Sequence, residues 1–147
     1  MFHAVKLSVA ALSLALLVGC AAVPMASVEE DQHSKTFSAP PADQSGLYIF
    51  RDSILGAALK KTLKVDGEVI GETAINTYFY RLIKPGQHTL ATESEFSDNA
   101  IELYTEPGQN YYVRQSIKLG VFVGGAKLQV VPEAEGQAGV NNSKRAQ

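Results

Sequence analysis

The clearest hairpin signal in this chain reads Leu63-Lys64-Val65-Asp66-Gly67-Glu68-Val69-Ile70. Aliphatic and β-branched residues flank the pair Asp66-Gly67, and an Asp-Gly pair tolerates the positive φ values of a type I′ turn. The twist of that turn matches the twist of the two strands it joins. Because a single hairpin is marginally stable in water, we expect the rest of the chain to supply further strands.

Short runs of β-forming residues lie on both sides of this hairpin. They are Leu47 to Phe50, Thr77 to Ile83, Gln87 to Glu93, Ile101 to Tyr104, Tyr111 to Ile117 and Lys127 to Val131. Pro85-Gly86 and Pro107-Gly108 separate four of these runs, and we interpret them as two similar turns in one antiparallel sheet. Residues 46–132 are therefore predicted to be all-β, a small antiparallel β-sandwich of about seven strands.

The segments on either side of this domain show no sustained hydrophobic periodicity. Residues 20–45 are rich in Ala, Pro, Ser, Gln and acidic residues, a composition that buries too little apolar surface to offset chain entropy. We interpret them as a flexible, disordered linker that starts at Cys20. Residues 133–147, with Gly136, Gly139 and the pair Asn141-Asn142, are predicted to be a polar tail.

Residues 1–19 have the organisation of a targeting segment. Lys6 precedes an apolar run that is shorter than the roughly 20 residues of a membrane span. The run ends in Leu17-Val18-Gly19-Cys20, which resembles the lipobox of bacterial lipoproteins. This resemblance implies cleavage between Gly19 and Cys20 and acylation of the Cys20 thiol. An ordinary secretory signal that ends in cysteine, or a buried N-terminal helix, is the alternative.

The residue after Cys20 and the overall charge bear on location and partners. Ala21 stands where an Asp would favour retention in the inner membrane, so analogy with Gram-negative sorting favours the inner leaflet of the outer membrane, facing the periplasm. The partners expected are membrane lipid through acylated Cys20 and an envelope protein or peptidoglycan. With 13 basic and 15 acidic residues, the chain lacks the positive field that nucleic-acid binding needs.

Few residues offer catalytic chemistry. The single cysteine excludes multi-cysteine zinc, iron–sulfur and Cys-x-x-Cys redox sites, and lipidation would consume it. His88 is the only histidine of the predicted domain, and a hydrolase would have to be built on it. A half-buried strand residue is the simpler interpretation of His88. We therefore predict no enzyme activity, no cofactor and no metal site.

Two apolar features are candidates for binding. Tyr78, Tyr80 and Tyr112 lie in predicted strands, where successive side chains point to opposite faces. One set of aromatic residues must pack the core, and another could form a tyrosine-rich face that binds a glycan such as peptidoglycan. Cross-strand packing is the alternative for these tyrosines. Val121-Phe122-Val123, in a glycine-bounded loop, would form a protein-contact or membrane-touching patch if exposed.

Several of these motifs together resemble known families. A PEGA-type β-sandwich domain is resembled by three segments, which are Leu63 to Glu68, Gly71-Glu72-Thr73 and Leu82 to Leu90. The whole arrangement more closely resembles the bacterial lipoprotein family DUF2846. The motifs that carry this resemblance are the lipobox, the run Gly46 to Arg51 and Tyr111-Tyr112-Val113. That resemblance implies a lipid-anchored envelope protein with a non-catalytic β-sandwich interaction domain, and it assigns no catalytic residue.

Overall fold

A computed structural model describes residues 21–147. The predicted signal peptide, residues 1–19, and the predicted acylation site Cys20 therefore lie outside the described residues. The described part of the chain contains two short helices and nine strands. In chain order they are α1 (Val28–Ser34), β1 (Ser45–Arg51), β2 (Lys61–Val65), β3 (Glu68–Thr73), β4 (Thr77–Ile83), β5 (Gly86–Thr92), β6 (Asn99–Thr105), β7 (Asn110–Lys118), β8 (Gly125–Val131), α2 (Glu133–Asn141) and β9 (Lys144–Arg145).

The strands form two sheets that pack face to face. One sheet has the order β8-β7-β1-β4-β9 and the other the order β3-β2-β5-β6. Both sheets contribute alternate side chains to the core between them, as period-two patterning requires. This core consists of Leu47, Ile49, Leu63, Val65, Phe79, Leu90, Leu103, Val113 and Leu128, together with Ala146. The prediction of an all-β sandwich is confirmed, with nine strands in place of about seven.

The five-stranded sheet is mixed rather than antiparallel. Its central strand β1 runs antiparallel to β4 but parallel to β7, and β4 runs parallel to β9. Every residue of β1 is buried, since strands flank it on both sides and both of its faces are covered. The expectation of a wholly antiparallel architecture is wrong for this sheet. Strand direction depends on which distant segments pair, and the local pattern of side chains carries no information about that.

The Asp66-Gly67 hairpin is confirmed. Val65 pairs with Glu68 across the turn, which leaves a two-residue loop between β2 and β3. The φ angles of Asp66 and Gly67 are 52° and 83°, both in the left-handed region that a type I′ turn requires.

The two Pro-Gly turns do not lie within one sheet. Pro85-Gly86 connects β4 of the five-stranded sheet with β5 of the four-stranded sheet. Pro107-Gly108 connects β6 with β7, again from one sheet to the other. The interpretation of both as turns between neighbouring strands of one sheet is therefore wrong. Each pair lets the chain cross the edge of the sandwich, and the flanking strands find their partners elsewhere.

The segment interpreted as a flexible linker is folded from Ala21 onward. Ser27 begins α1 with a capping box, in which Glu30 N–H donates to Ser27 Oγ (3.2 Å) and Ser27 N–H donates to Glu30 Oε2 (2.9 Å). Asp31 then accepts a hydrogen bond from the Tyr78 hydroxyl at 2.8 Å and another from Arg145 N–H at 3.0 Å. The disorder prediction is wrong because these long-range partners, rather than local apolar content, hold the segment.

The segment predicted to be a polar tail is also folded. Helix α2 lies across the outer face of the five-stranded sheet, and β9 pairs with Thr77 and Tyr78 of β4. The helix can approach closely because Gly136 and Gly139 lack side chains. A Cβ on Gly139 would stand 2.0 Å from Phe50 Cε2, and one on Gly136 would stand 2.2 Å from Tyr112 Cβ. Neither helix of the described part is long and apolar enough to span a bilayer.

Candidate functional site

The predicted tyrosine face is a second, outer core. Tyr78 and Tyr112 are buried, and Tyr80 is partly buried beside them. The ring of Tyr48 stacks on that of Tyr112, with centroids 5.1 Å apart, and lies 4.5 Å from that of Tyr80. Helices α1 and α2 cover this layer. The structure therefore brings the three predicted residues together, but it buries Tyr78 and Tyr112 and leaves Tyr80 only partly exposed.

The hydroxyl groups of this layer are satisfied internally. The Tyr48 hydroxyl donates to the Ser34 carbonyl oxygen at 2.8 Å, and Tyr78 donates to Asp31 Oδ1 at the same distance. Burial raises the pKa of both phenols well above the ordinary value of 10.0. These hydroxyls stay protonated, and they attach α1 to the sheet.

Both ring nitrogens of His88 are engaged in contacts within the fold. Its Nδ1 lies 2.7 Å from Asp66 Oδ2 and its Nε2 lies 2.6 Å from the Lys84 carbonyl oxygen. Burial alone would lower the pKa of His88, but these hydrogen bonds outweigh it and raise the pKa above 6.5. The hydrogen bond from His88 likewise holds the pKa of Asp66 below 3.8. Because both ring nitrogens face acceptors, this geometry favours the imidazolium ion.

His88 borders a groove at this edge of the sandwich. The groove has a volume of about 450 Å³ and is lined by Val65, Ile70, Arg81 and Ile83 as well as His88. The Arg81 guanidinium donates to the Ile70 carbonyl oxygen at 3.2 Å and so takes part in holding β3. Across residues 21–147, no group of three His, Cys, Asp or Glu side chains is arranged to hold a metal ion.

The most unusual surface is a group of exposed apolar side chains at one end of the sandwich, which we call the apolar end. It is built by the β1–β2 loop (residues 52–60), the β5–β6 loop (residues 93–98) and the β7–β8 loop (residues 119–124). Its members are Ile54 (81% exposed), Leu55, Phe96 (79%), Leu119 (86%), Val121, Phe122 (82%) and Val123. The predicted patch Val121-Phe122-Val123 is thus exposed. Ile54, Leu55 and Phe96 were missed because they lie on other loops, which meet this loop only in the fold. Leu119 lies in the same loop, just outside the predicted patch.

Specific contacts hold the three loops together. Glu95 Oε2 accepts a hydrogen bond from Val121 N–H at 2.7 Å, and its other oxygen accepts one from Phe122 N–H. Burial would raise the pKa of Glu95, but these backbone donors outweigh it and lower the pKa. A Cβ on Gly124 would stand 2.7 Å from Leu59 Cδ1, so the third loop packs directly on the first.

A buried arginine anchors the first of these loops. Arg51 is fully buried at the end of β1, and its guanidinium donates to the carbonyl oxygens of Gly56 (2.5 Å) and Leu59 (2.7 Å). Burial lowers the pKa of Arg51. The sequence gives no sign of this role, because Arg51 follows an aliphatic run as any surface residue at a strand end would.

The first described residue lies at the same end. Ala21 N–H donates to the Ala57 carbonyl oxygen of the β1–β2 loop at 3.1 Å. The chain then continues along β9, where Ala26 N–H donates to the Arg145 carbonyl oxygen at 3.0 Å. The residue that follows Cys20 is therefore held against a loop of the apolar end.

Comparison with known proteins identifies the family but no activity. A family profile described as "Protein of unknown function (DUF2846)" matches residues 41–126. The chain belongs to the DUF2846 family. The DUF2846 match runs from the residues before β1 into the start of β8, so it includes all three loops of the apolar end. The likeness to PEGA-type domains stays a prediction.

A curated relative extends this similarity. An uncharacterized protein of Haemophilus influenzae is 51% identical over 131 residues, which cover 89% of this chain and 78% of the relative. At 131 residues the alignment is longer than the span from β1 to β9, residues 45–145, and therefore reaches beyond the sandwich at one end or both. No solved structure matches this DUF2846 protein.

Proposed function

We propose that this protein is a lipid-anchored lipoprotein of the bacterial cell envelope whose β-sandwich is a non-catalytic interaction domain. The observation that carries the proposal is Leu17-Val18-Gly19-Cys20 at the end of a short apolar run, with Cys20 as the only cysteine. Small Gly19 leaves room for a signal peptidase, and the Cys20 thiol accepts the lipid. Several acyl chains give an effectively permanent anchor, whereas one chain gives only marginal binding.

The arrangement of polar groups supports a non-catalytic domain. His88 is engaged by Asp66 and the Lys84 carbonyl oxygen, and the hydroxyls of Tyr48 and Tyr78 hold α1. These side chains, which would be the first candidates for proton transfer, stabilise the fold instead. The domain thus offers a partner its surface rather than a reaction centre.

Metabolic labelling with an alkyne-bearing fatty acid tests the anchor. We expect the unmodified protein and the variant Gly19→Ala, which keeps a small residue before the cleavage point, to carry the label. Cys20→Ala removes the acceptor thiol and should carry none. Equal labelling of Cys20→Ala and the unmodified protein would overturn the proposal.

Separation of inner and outer membranes tests the location. Ala21 follows the lipidated residue, and the proposal places the protein in the outer membrane facing the periplasm. Ala21→Asp is expected to move the protein to the inner membrane fraction, while the control Ala21→Ser should leave it in the outer membrane. An unmodified protein found in the inner membrane fraction would contradict the location but leave the anchor intact.

A further inference from the structure

We propose that the apolar end faces the bilayer that carries acylated Cys20, with the β7–β8 loop inserted among the lipid headgroups and upper acyl chains. This inference rests on the proposed lipid anchor. It adds an orientation and a lipid-binding surface, which the anchor alone does not specify.

The composition of the surface is the first argument. Seven apolar side chains gather on three adjoining loops, and those of Leu119 and Phe122 are more than four-fifths exposed. Contiguous apolar patches of this kind on a soluble domain mark sites that contact a membrane or another protein. Single exposed apolar residues elsewhere, such as Tyr104 on β6, do not form such a group.

The position of the chain before the domain is the second argument, and it selects lipid. Ala21 N–H is hydrogen-bonded to Ala57 of the β1–β2 loop, so Ala21 lies at the apolar end. Cys20 directly precedes Ala21 in the chain, and successive Cα atoms are about 3.8 Å apart, so a lipid on Cys20 is joined to the domain at this end. Acyl chains on Cys20 would therefore enter the bilayer beside Ile54 and Leu55. The nearest apolar phase for these loops is the membrane itself.

Two backbone N–H groups of the β7–β8 loop already have hydrogen-bond acceptors within the protein. Peptide N–H groups that lose water without gaining a partner are costly in a bilayer. Val121 and Phe122 donate their N–H groups to Glu95 within the protein, so these donors stay satisfied when water is removed. The same two hydrogen bonds hold the Glu95 carboxylate against the loop.

The charges around the apolar end suit a phosphate-bearing surface. Lys118 and Lys127 are exposed at the base of the β7–β8 hairpin, and within the described residues neither forms an ion pair. Their long side chains can reach the headgroup phosphates while the loop tip enters the bilayer. Nearby carboxylates are engaged, since Asp98 pairs with Lys64 and Asp52 pairs with Arg114.

Depth-dependent quenching in the acylated full-length protein tests the orientation. Because acylation occupies the only native thiol, Phe122→Cys supplies the single site for an environment-sensitive dye. Tyr104→Cys is the matched control, since Tyr104 is also an exposed aromatic residue (64%) but lies at the opposite end of the sandwich. Both are reconstituted into vesicles of phosphatidylethanolamine and phosphatidylglycerol.

We expect the dye at position 122 to shift its emission to the blue, to be quenched by nitroxide-labelled lipid and to lose quenching by aqueous iodide. The dye at position 104 should show the reverse. Ile54→Cys, on a different loop, should behave like position 122 and keeps the test decisive if one variant folds poorly. Circular dichroism of each variant checks the fold.

The outcomes separate this inference from the anchor. Acylated, vesicle-bound protein whose dyes at positions 54 and 122 remain open to iodide would overturn the orientation and leave the anchor standing. Shielding from iodide without quenching by lipid would show that a second copy covers the surface, which also overturns the orientation. Protein that is neither acylated nor vesicle-bound would overturn the proposed function and the inference with it.

Discussion

At the scale of single residues, the buried side chains of Arg51 and His88 have partners that the sequence alone does not reveal. Arg51 is bonded to carbonyl oxygens of its own following loop, and His88 joins the Asp66-Gly67 turn to β5. In both cases the side chain fixes a turn or loop to the sheet. The contribution of His88 should therefore depend on pH.

The His88–Asp66 contact should stabilise the fold most in mildly acidic solution. The pKa of His88 is raised in the folded state, so its contribution is complete below about pH 6.5 and is lost as pH rises through the raised pKa. The lowered pKa of Asp66 means that its contribution is lost only in strong acid. Asp66→Asn keeps a residue that tolerates the turn. We expect it to cost about 1 kcal/mol at about pH 5.5, after allowance for the exposure of Asp66, and less at about pH 9.

Urea unfolding at both pH values measures this difference. Asp43→Asn, on the chain before β1, is the control for removing one acidic charge. An equal cost of Asp66→Asn at the two pH values would contradict the assigned role of His88.

Removal of Arg51 should leave the Leu59 carbonyl oxygen without its donor and the Gly56 carbonyl oxygen with the Leu59 N–H alone. We expect Arg51→Met, which keeps much of the side-chain volume, to lower the free energy of unfolding by about 2–4 kcal/mol. Arg51→Lys keeps a donor and should recover part of this loss. Denaturant unfolding gives the free energies, and hydrogen exchange should show faster exchange at Leu59 N–H, which donates to the Gly56 carbonyl oxygen. Unchanged stability of Arg51→Met would be inconsistent with the anchoring role.

At the scale of elements, the helices are held by close approach rather than by an apolar stripe. Gly136 and Gly139 place the backbone of α2 directly on the rings of Tyr112 and Phe50. Helix α1 is held by its capping box and by tyrosine hydroxyls. Interactions of this kind leave little hydrophobic periodicity in the sequence. This is why residues 20–45 were interpreted as a disordered linker and residues 133–147 as a polar tail.

An alanine at position 139 should therefore destabilise the protein. Alanine normally favours a helix over glycine by about 1 kcal/mol. Here its Cβ would meet the Phe50 ring, and overpacking of this kind typically costs about 1–3 kcal/mol. We expect Gly139→Ala to lower the midpoint of thermal unfolding. Ala138 is exposed on α2, so Ala138→Gly measures only the difference in helix propensity between alanine and glycine. A raised midpoint for Gly139→Ala would show that α2 does not pack on this face.

The strands were the predictable part at this scale. Tyr78 to Ile83 and the Asp66-Gly67 turn follow local rules, because β-forming residues and positive φ values are properties of neighbouring residues. The sheet in which a strand lies is set by contacts between distant segments. The Pro85-Gly86 turn shows this limit, since its local sequence fits a turn within one sheet equally well.

At the scale of the whole molecule, the protein is a sandwich with a covered outer face and an apolar end. The sequence predicted the all-β class and the possible exposure of Phe122. It did not predict that Ile54 and Phe96 lie at the same end as Phe122, because their three loops are far apart in the chain and meet through the pairing of β1 with β7 and of β2 with β5. The sequence left Tyr112 between cross-strand packing and an open face, because the segments that cover this layer were interpreted as a disordered linker and a polar tail.

Limited chymotrypsin digestion of residues 21–147 in detergent-free buffer, where neither lipid nor a micelle covers the apolar end, should distinguish folded segments from open loops. Phe96 and Phe122 lie exposed in loops, so we expect the first cleavages to follow them. Phe37 packs against Tyr48 and Tyr112 and should be spared until the domain unfolds. Mass spectrometry of early fragments identifies the sites. Early cleavage after Phe37 would instead support a flexible segment before β1.

The seam between residues 24–26 and 145–147 has a consequence for biogenesis. Met25 forms a β-bridge with Ala146, and Gln147 N–H donates to the Pro24 carbonyl oxygen. Ala146 N–H also donates to the Tyr78 carbonyl oxygen of β4. Because about 120 residues separate the two sides of this seam, its closure comes late and slowly. This seam can close only after residues 145–147 have been synthesised, so a shorter nascent chain lacks these contacts and leaves the segment before β1 without its β9 partner.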